Sequence, residues 1–443
     1  MNDRIIDAVR QKLGDAVSTP FPSSTRREAE GSVPEGKARA VIGMRRAGKT
    51  TFLLQCLSDR LAQGVDRRRL VYFNFEDERL AGLEAADLGI LLDEYYRAHP
   101  EFRRSQVVTW CFDEIQVVPG WERFVRRVLD SERVEIFLSG SSAKMLSREV
   151  ATSMRGRALE TVITPFSFRE FARHRGATVP SARALTSAAE ESSWLARLDD
   201  YLAIGGFPEA SRPDMASERV GLLQGYVDSV LFRDIAERHR IENLVAMRAF
   251  VRQLLRQPAT ALSISKIHQD FRSRDIAVSK ETLLALLNHL EDAFLVFTVP
   301  IATRSERKRQ VNPRKVYLAD HGLAAAFQSA PTADRGHHLE NIVACELKRR
   351  CRDLSYVKTE SGLEVDFLAT AGDGRSQLIQ VAADVRDAAT FEREIRSLLE
   401  AATAHPDARK LLIVDRPIPR AVDVPTGVEL VKLWRWLLEP AVG

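Results

Sequence analysis

A chain of 443 residues is longer than one ordinary core needs, so two to four modules of roughly 100 to 200 residues are expected. With 45% hydrophobic and 28% charged residues it has the composition of a soluble globular protein, and no run of about eighteen apolar residues marks a membrane span. A formal net charge of +4 neither demands nor excludes nucleic acid, which leaves the question to the local distribution of charge.

Ile5, Ile6, Val9 and Leu13 recur at helical spacing and predict an amphipathic helix over 3–14. The same segment carries charges throughout and has no apolar h-region, so a cytoplasmic address is expected rather than secretion. Residues 18–37 read as a polar loop. An apolar strand, a glycine-bounded loop and a helix start follow within 39–51, with the helix running to about 63. Next come a buried strand at 70–75, a helix over 84–98, and an apolar strand at 107–114 that ends in two carboxylates. A helix from Trp121, the strand VEIFLSGSS and a fifth strand LETVIT complete the alternation. This order implies an α/β fold with a parallel, three-layer sheet whose ligand sits at the carboxyl ends of the strands. Residues 166–243 are helical in pattern and read as a lid. Three helices followed by two strand candidates make 244–318 a winged helix. Residues 319–443 form another α/β module, entered through the helix LENIVACELKRRC. The predicted domains are therefore 1–165, 166–243, 244–318 and 319–443. Cys56, Cys111, Cys345 and Cys351 are spaced as reduced thiols, not as a zinc site. His337 and His338 read as part of a helix entry for the same reason.

The 39–51 segment carries the chemistry. Gly43 and Gly48-Lys49-Thr50 fit G-x-x-x-x-G-K-[ST], a spacing that wraps backbone N–H groups around a phosphate chain at a helix N-terminus. Lys49 reaches the terminal phosphates, Thr50 can ligate Mg2+, and Ala47 and Thr51 belong to the same stretch, while Arg45 and Arg46 have two open readings, contact with the phosphates or pairing with Glu76 or Asp77. Asp113 is placed for the magnesium shell and Glu114 for orienting the attacking water, on a strand expected beside the P-loop strand. Ser139, at the end of the next strand, reads either as a sensor of the terminal phosphate or as a turn residue. Arg155 and Arg157, just before the fifth strand, suit an arginine that reaches a neighbouring subunit's phosphate.

The combination of GMRRAGKTT, FDEIQVVPGWE, FLSGSSAKML, SMRGR, TPFSFREF and IGGFPEA resembles the AAA+ ATPases of bacteria and archaea that carry a restriction-endonuclease-like C-terminal domain of unknown function. The resemblance extends through RDIAERHRI, NPRKVYLAD and LEVDFLA and spans nearly the whole chain. It implies ATP and Mg2+ as cofactors, hydrolysis, and a homo-oligomer with an arginine finger acting in trans, a hexameric ring being one arrangement. Glu340, Asp366 and the strand LIQVAAD align with a PD-(D/E)xK nuclease layout, but Gln380 and Ala382 stand where an acid and a lysine belong. A neutral amide serves a hard cation poorly and alanine polarises nothing, so binding without cutting is expected. Asp384, Lys348 and Arg393 are the candidate substitutes for the missing groups. Arg304, Arg307, Lys308, Arg309, Arg314 and Lys315 fall where a wing tip lies, with Lys266, Arg272, Arg274 and Lys280 on adjacent helices, a set that could neutralise DNA phosphates. Two functions follow: an ATP-driven remodeller of DNA ends or branched DNA, or an ATP-controlled switch for a protein partner without DNA dependence.

Overall fold

The computed structural model describes residues 3–140, 154, 156–180, 187–328, 335–415 and 424–440. These divide into two units, Met1–Thr164 with Asp292–Phe294, and Pro165–Glu291 with Leu295–Gly443. The helices of 166–243, expected as a lid, thus fall in the second unit.

Five short apolar runs build the first unit's sheet: β1 (Ala38–Ile42), β2 (Leu70–Asn74), β3 (Val108–Asp113), β4 (Val134–Ser139) and β5 (Ala158–Val162). All neighbours are parallel, in the order β2-β3-β4-β1-β5. Every residue of β1 and β3 is buried, as expected of central parallel strands covered on both faces. One expectation fails here. The strand ending in Asp113 is not adjacent to the P-loop strand, because β4 lies between them. An apolar run states that a strand is central but not which strand it pairs with. Around the sheet are α1 (Asp3–Ser18), α2 (Lys49–Ala62), α3 (Gly89–Ala98) and α4 (Trp121–Ser131). Helix α1 buries Ile5, Val9 and Leu13 of the predicted stripe and also Ala8, while Ile6 is only half-buried. Helix α3 starts five residues later than predicted, after a series of turns.

The second unit opens with α5 (Phe168–His174) and α6 (Ala188–Ile204), each begun by a reciprocal serine–glutamate cap, Ser167 with Glu170 and Ser187 with Glu190. Helix α7 (Arg219–Ser229) continues into a π-helical turn, Val230–Ala236. Then follow α8 (Leu244–Arg256), β6 (Thr260–Leu262), α9 (Ile264–Ser273), α10 (Lys280–Asp292), β7 (Val296–Val299), α11 (Glu306–Val311) and β8 (Arg314–Leu318). The three strands form an antiparallel sheet in the order β6-β8-β7. The stretch expected as a wing-tip loop contains α11 because Ser305 caps it, accepting from the Lys308 N–H. After α12 (His321–Phe327) and α13 (Arg335–Arg350), strands β9 (Cys351–Lys358), β10 (Glu364–Ala371) and β11 (Ser376–Ala382) run antiparallel. Helix α14 (Ala388–Ala404) leads to β12 (Arg409–Val414), which pairs in parallel with β11 and with β13 (Val428–Lys432). Strand β13 and α15 (Leu433–Leu438) were not predicted; their apolar run is too short to separate strand from helix by period. Two motifs of the sequence meet in this unit. The Asp320 carboxylate of NPRKVYLAD accepts from Gly206 N at 2.7 Å and Gly322 N at 2.9 Å, so it ties the IGGFPEA turn to the start of α12.

Candidate nucleotide site

At the carboxyl edge of the first sheet, the chain leaves β1 through Gly43 and enters α2 through Gly48, whose φ is 103°. Arg46, between them, also takes a left-handed conformation, at φ 65°. Lys49 is buried and donates to the carbonyls of Gly43 (3.0 Å) and Met44 (3.2 Å), closing the loop on itself. A cation held at the mouth of a glycine-bounded loop, with a helix N-terminus behind it, fits a phosphate anion. Arg45 lies 4.0 Å from Glu76, the outer limit of an ion pair.

Asp113 ends β3 and is buried among hydroxyls. Its carboxylate accepts from Thr50 Oγ1 at 2.8 Å, from Tyr72 OH at 2.6 Å and from Ser139 Oγ. The pairing of Thr50 with Asp113 joins a P-loop hydroxyl to a strand-end carboxylate, a donor set that suits a magnesium ion. Ser139 is there because β4 separates β1 from β3, and its Oγ also accepts from the Glu114 N–H at 3.1 Å. Glu114 has φ 55°, a left-handed conformation unusual for a glutamate, and its side chain accepts from Gln116 Nε2. Burial, then the Asp113 charge, drives the Tyr72 phenol upward, so it stays a donor. Tyr72 and Gln116 were missed from the sequence, since their partners lie across a strand and around a turn.

Arg27, within the stretch read as a plain polar loop, was missed too. Its guanidinium donates to Ala47 O at 2.7 Å and to Thr164 O, and its backbone N–H donates to Gln55 Oε1 at 2.8 Å. It braces the P-loop from the side. Arg157 pairs with Asp130 at the surface. Arg155 lies outside the described residues.

Residues 35–172 match the AAA domain family, residues 195–334 a domain of unknown function (DUF8612), and residues 335–434 another (DUF4143). The Uncharacterized protein MJ1544 of Methanocaldococcus jannaschii is 32% identical over 428 residues, covering 93% of this chain and 90% of that one. The chain belongs to the same family as that archaeal protein. An uncharacterized protein of Haemophilus influenzae is 27% identical across 90% of this chain and 94% of its own. Among solved structures, C. elegans PCH-2 aligns with a TM-score of 0.29 and 12% identity over 50% of this chain and 61% of that chain, so the match spans less than two thirds of that structure. The AAA domain of the family member described here contains Lys49, Asp113, Glu114 and Ser139.

The remaining predicted residues separate into two groups. Arg304, Arg307, Lys308 and Arg309 are exposed on and beside α11, and Lys280 is exposed at the start of α10. Lys315 is not on that face. It is buried, and its ammonium lies 2.9 Å from Glu340, 2.6 Å from Glu364 and 3.3 Å from Asp366, because β8 alternates its side chains and turns Lys315 inward. Glu340 sits buried within α13, accepting also from Tyr317 OH at 2.6 Å. Asp366 pairs with this lysine and accepts from Val381 N at 3.0 Å. Gln380 is buried, taking the Asp366 N–H at 3.2 Å and donating to Glu394 at 2.7 Å, while Ala382 packs into the apolar core. None of the three expected substitutes meets Asp366: Asp384 pairs with Arg386, Arg393 with Glu394, and Lys348 is exposed. Burial, then Asp366, raises the Glu340 pKa. Burial alone would lower Lys315, but Asp366, Glu340 and Glu364 outweigh it and raise its pKa. Among the described residues no group of three or more His, Cys, Asp or Glu could hold a metal ion, and no helix is long and apolar enough to cross a membrane.

The Tyr72 contact leads to a modest expected loss. Tyr72→Phe removes one hydrogen bond to Asp113 while Thr50 and Ser139 remain, so stability should fall by about 1 kcal/mol in urea unfolding. A loss as large as that of Asp113→Ala would show that Tyr72 does more than donate this bond.

Proposed function

We propose that the chain is an ATP hydrolase that works as a homo-oligomer on DNA ends or branched DNA. The observation that carries the hydrolase reading is the meeting of Lys49, Thr50, Asp113 and Glu114 at one edge of a parallel sheet. Thr50 and Asp113 would hold Mg2+, which supplies charge neutralisation on the phosphates. Lys49 binds the terminal phosphates, and Glu114 orients water and takes its proton. Ser139 holds Asp113 and the Glu114 backbone in register, so the two carboxylates keep separate tasks.

Support for the DNA reading comes from the exposed basic run on α11, which lies in the connection between β7 and β8 after helices α8, α9 and α10, where the winged-helix reading puts a wing. Among the described residues, Arg304, Arg307, Lys308 and Arg309 make no ion pair that would neutralise them. ATPase rates with and without single-stranded, duplex and branched DNA test it. Stimulation that fades with salt is expected. Turnover indifferent to DNA, with a co-purifying protein, would favour the partner-switch reading.

Arg157 carries the oligomer part. Its partner Asp130 is exposed, so the pair exchanges at little cost and the guanidinium is available to a neighbouring subunit's phosphate. Mixing Arg157→Ala chains with Lys49→Ala chains should restore part of the ATPase activity that neither has alone. No recovery in oligomers shown to mix would place Arg157 outside the site.

A further inference from the structure

Carboxylates of α13 and β10 converge on one point, and a lysine side chain occupies it. We propose that the Lys315 ammonium is the resident cation of the Glu340–Glu364–Asp366 cluster, taking the place of a divalent metal and making this module metal-independent. Three carboxylate oxygens lie within 2.6–3.3 Å of Nζ, which is the coordination an ammonium with three donors can satisfy. The lysine and two of its partners, Glu340 and Asp366, are buried, while Glu364 stands at the rim.

The surroundings match a monovalent occupant. Where a nuclease layout needs a further acid, Gln380 is neutral, and both ends of its amide are used, one on the Asp366 N–H and one on Glu394. A carboxylate at that position would add a further negative charge to a cluster in which three acids already share one ammonium. Tyr317, two residues along the same strand, spends its hydroxyl on Glu340, so β8 supplies both the cation and a supporting donor. The arrangement also joins the β6-β8-β7 sheet to the C-terminal one by a buried charge contact, across two separately matched family regions. A metal and this ammonium cannot occupy the same point, and like charges there would repel.

The experiment uses the full-length, nucleotide-free protein with Mn2+ as the probe. Wild type should bind no more Mn2+ than Asp366→Asn by calorimetry, and its melting temperature should be insensitive to Mn2+ or EDTA. Lys315→Met, which keeps the apolar stem and loses the charge, should bind one additional Mn2+ and gain several degrees of melting temperature from it. Adding Asp366→Asn to that variant should abolish the gain. If Lys315→Met does not fold, Lys315→Met with Glu340→Gln removes one uncompensated acid, and the wild-type comparison stands by itself. Three results overturn the proposal: Mn2+ binding by wild type that Asp366→Asn removes, a folded Lys315→Met that gains none, or Mn2+-dependent DNA cutting by wild type that Lys315→Met abolishes. The last would make Lys315 a lysine working beside a metal. No arm uses ATP, so failure here is separate from failure of the hydrolase reading.

Discussion

Lys49→Ala should weaken ATP binding by roughly ten- to a hundredfold, the loss of charged hydrogen bonds worth roughly 1.5–3 kcal/mol, and leave no measurable turnover. The ammonium is the positive charge buried at the mouth of the loop, and in its absence the carbonyls of Gly43 and Met44 lose their donor. Glu114→Gln should behave differently. It leaves Asp113 with its three hydroxyl donors, so ATP should still bind and persist, with turnover down by roughly ten- to ten-thousandfold. The substitution also keeps a polar partner for Gln116 and the backbone bond to Ser139, so the protein should remain folded. Equilibrium nucleotide binding and single-turnover hydrolysis, measured on both variants, separate the roles. Equal loss of ATP affinity in the two would defeat the division between phosphate binding and water activation.

Gly43→Ala should be as damaging as Lys49→Ala, for a reason that lies behind the loop. Gly43 has φ 145°, a region that residues with a Cβ essentially avoid, and an added Cβ would overlap the carbonyl oxygen of Ile163, with the carbonyl carbon at 3.0 Å. The obstacle is backbone held by the Ile163 N–H to Ile42 O bond of 2.7 Å, so it cannot swing aside as a side chain could. Strain and overlap together should cost on the order of 3 kcal/mol or more. Denaturant unfolding should show this loss without nucleotide present. An alanine variant of normal stability that merely fails to bind ATP would mean the glycine serves phosphate approach alone.

The sequence by itself determined the elements whose signal is local. The P-loop spacing, the apolar runs that became β1 to β5, the stripe of α1 and the acidic end of β3 all rest on periods and motifs a few residues long. Even the absence of an acid at 380 and a lysine at 382 was legible. Tertiary structure decided whatever depends on which strands are neighbours. Inserting β4 between β1 and β3 gave Asp113 its serine, and packing β5 beside β1 gave Gly43 its constraint. Lys315 is the clearest case. Within RKRQVNPRK it is one basic residue in a charged run, and its neighbour Arg314 is exposed. Only the pleat of β8, which turns successive side chains to opposite faces, and the placement of α13 and β10 against it make that one lysine the counter-charge of carboxylates 25 and 51 residues away. Charge composition is additive along a chain, but the field that an ammonium meets is set by groups the fold brings from elsewhere.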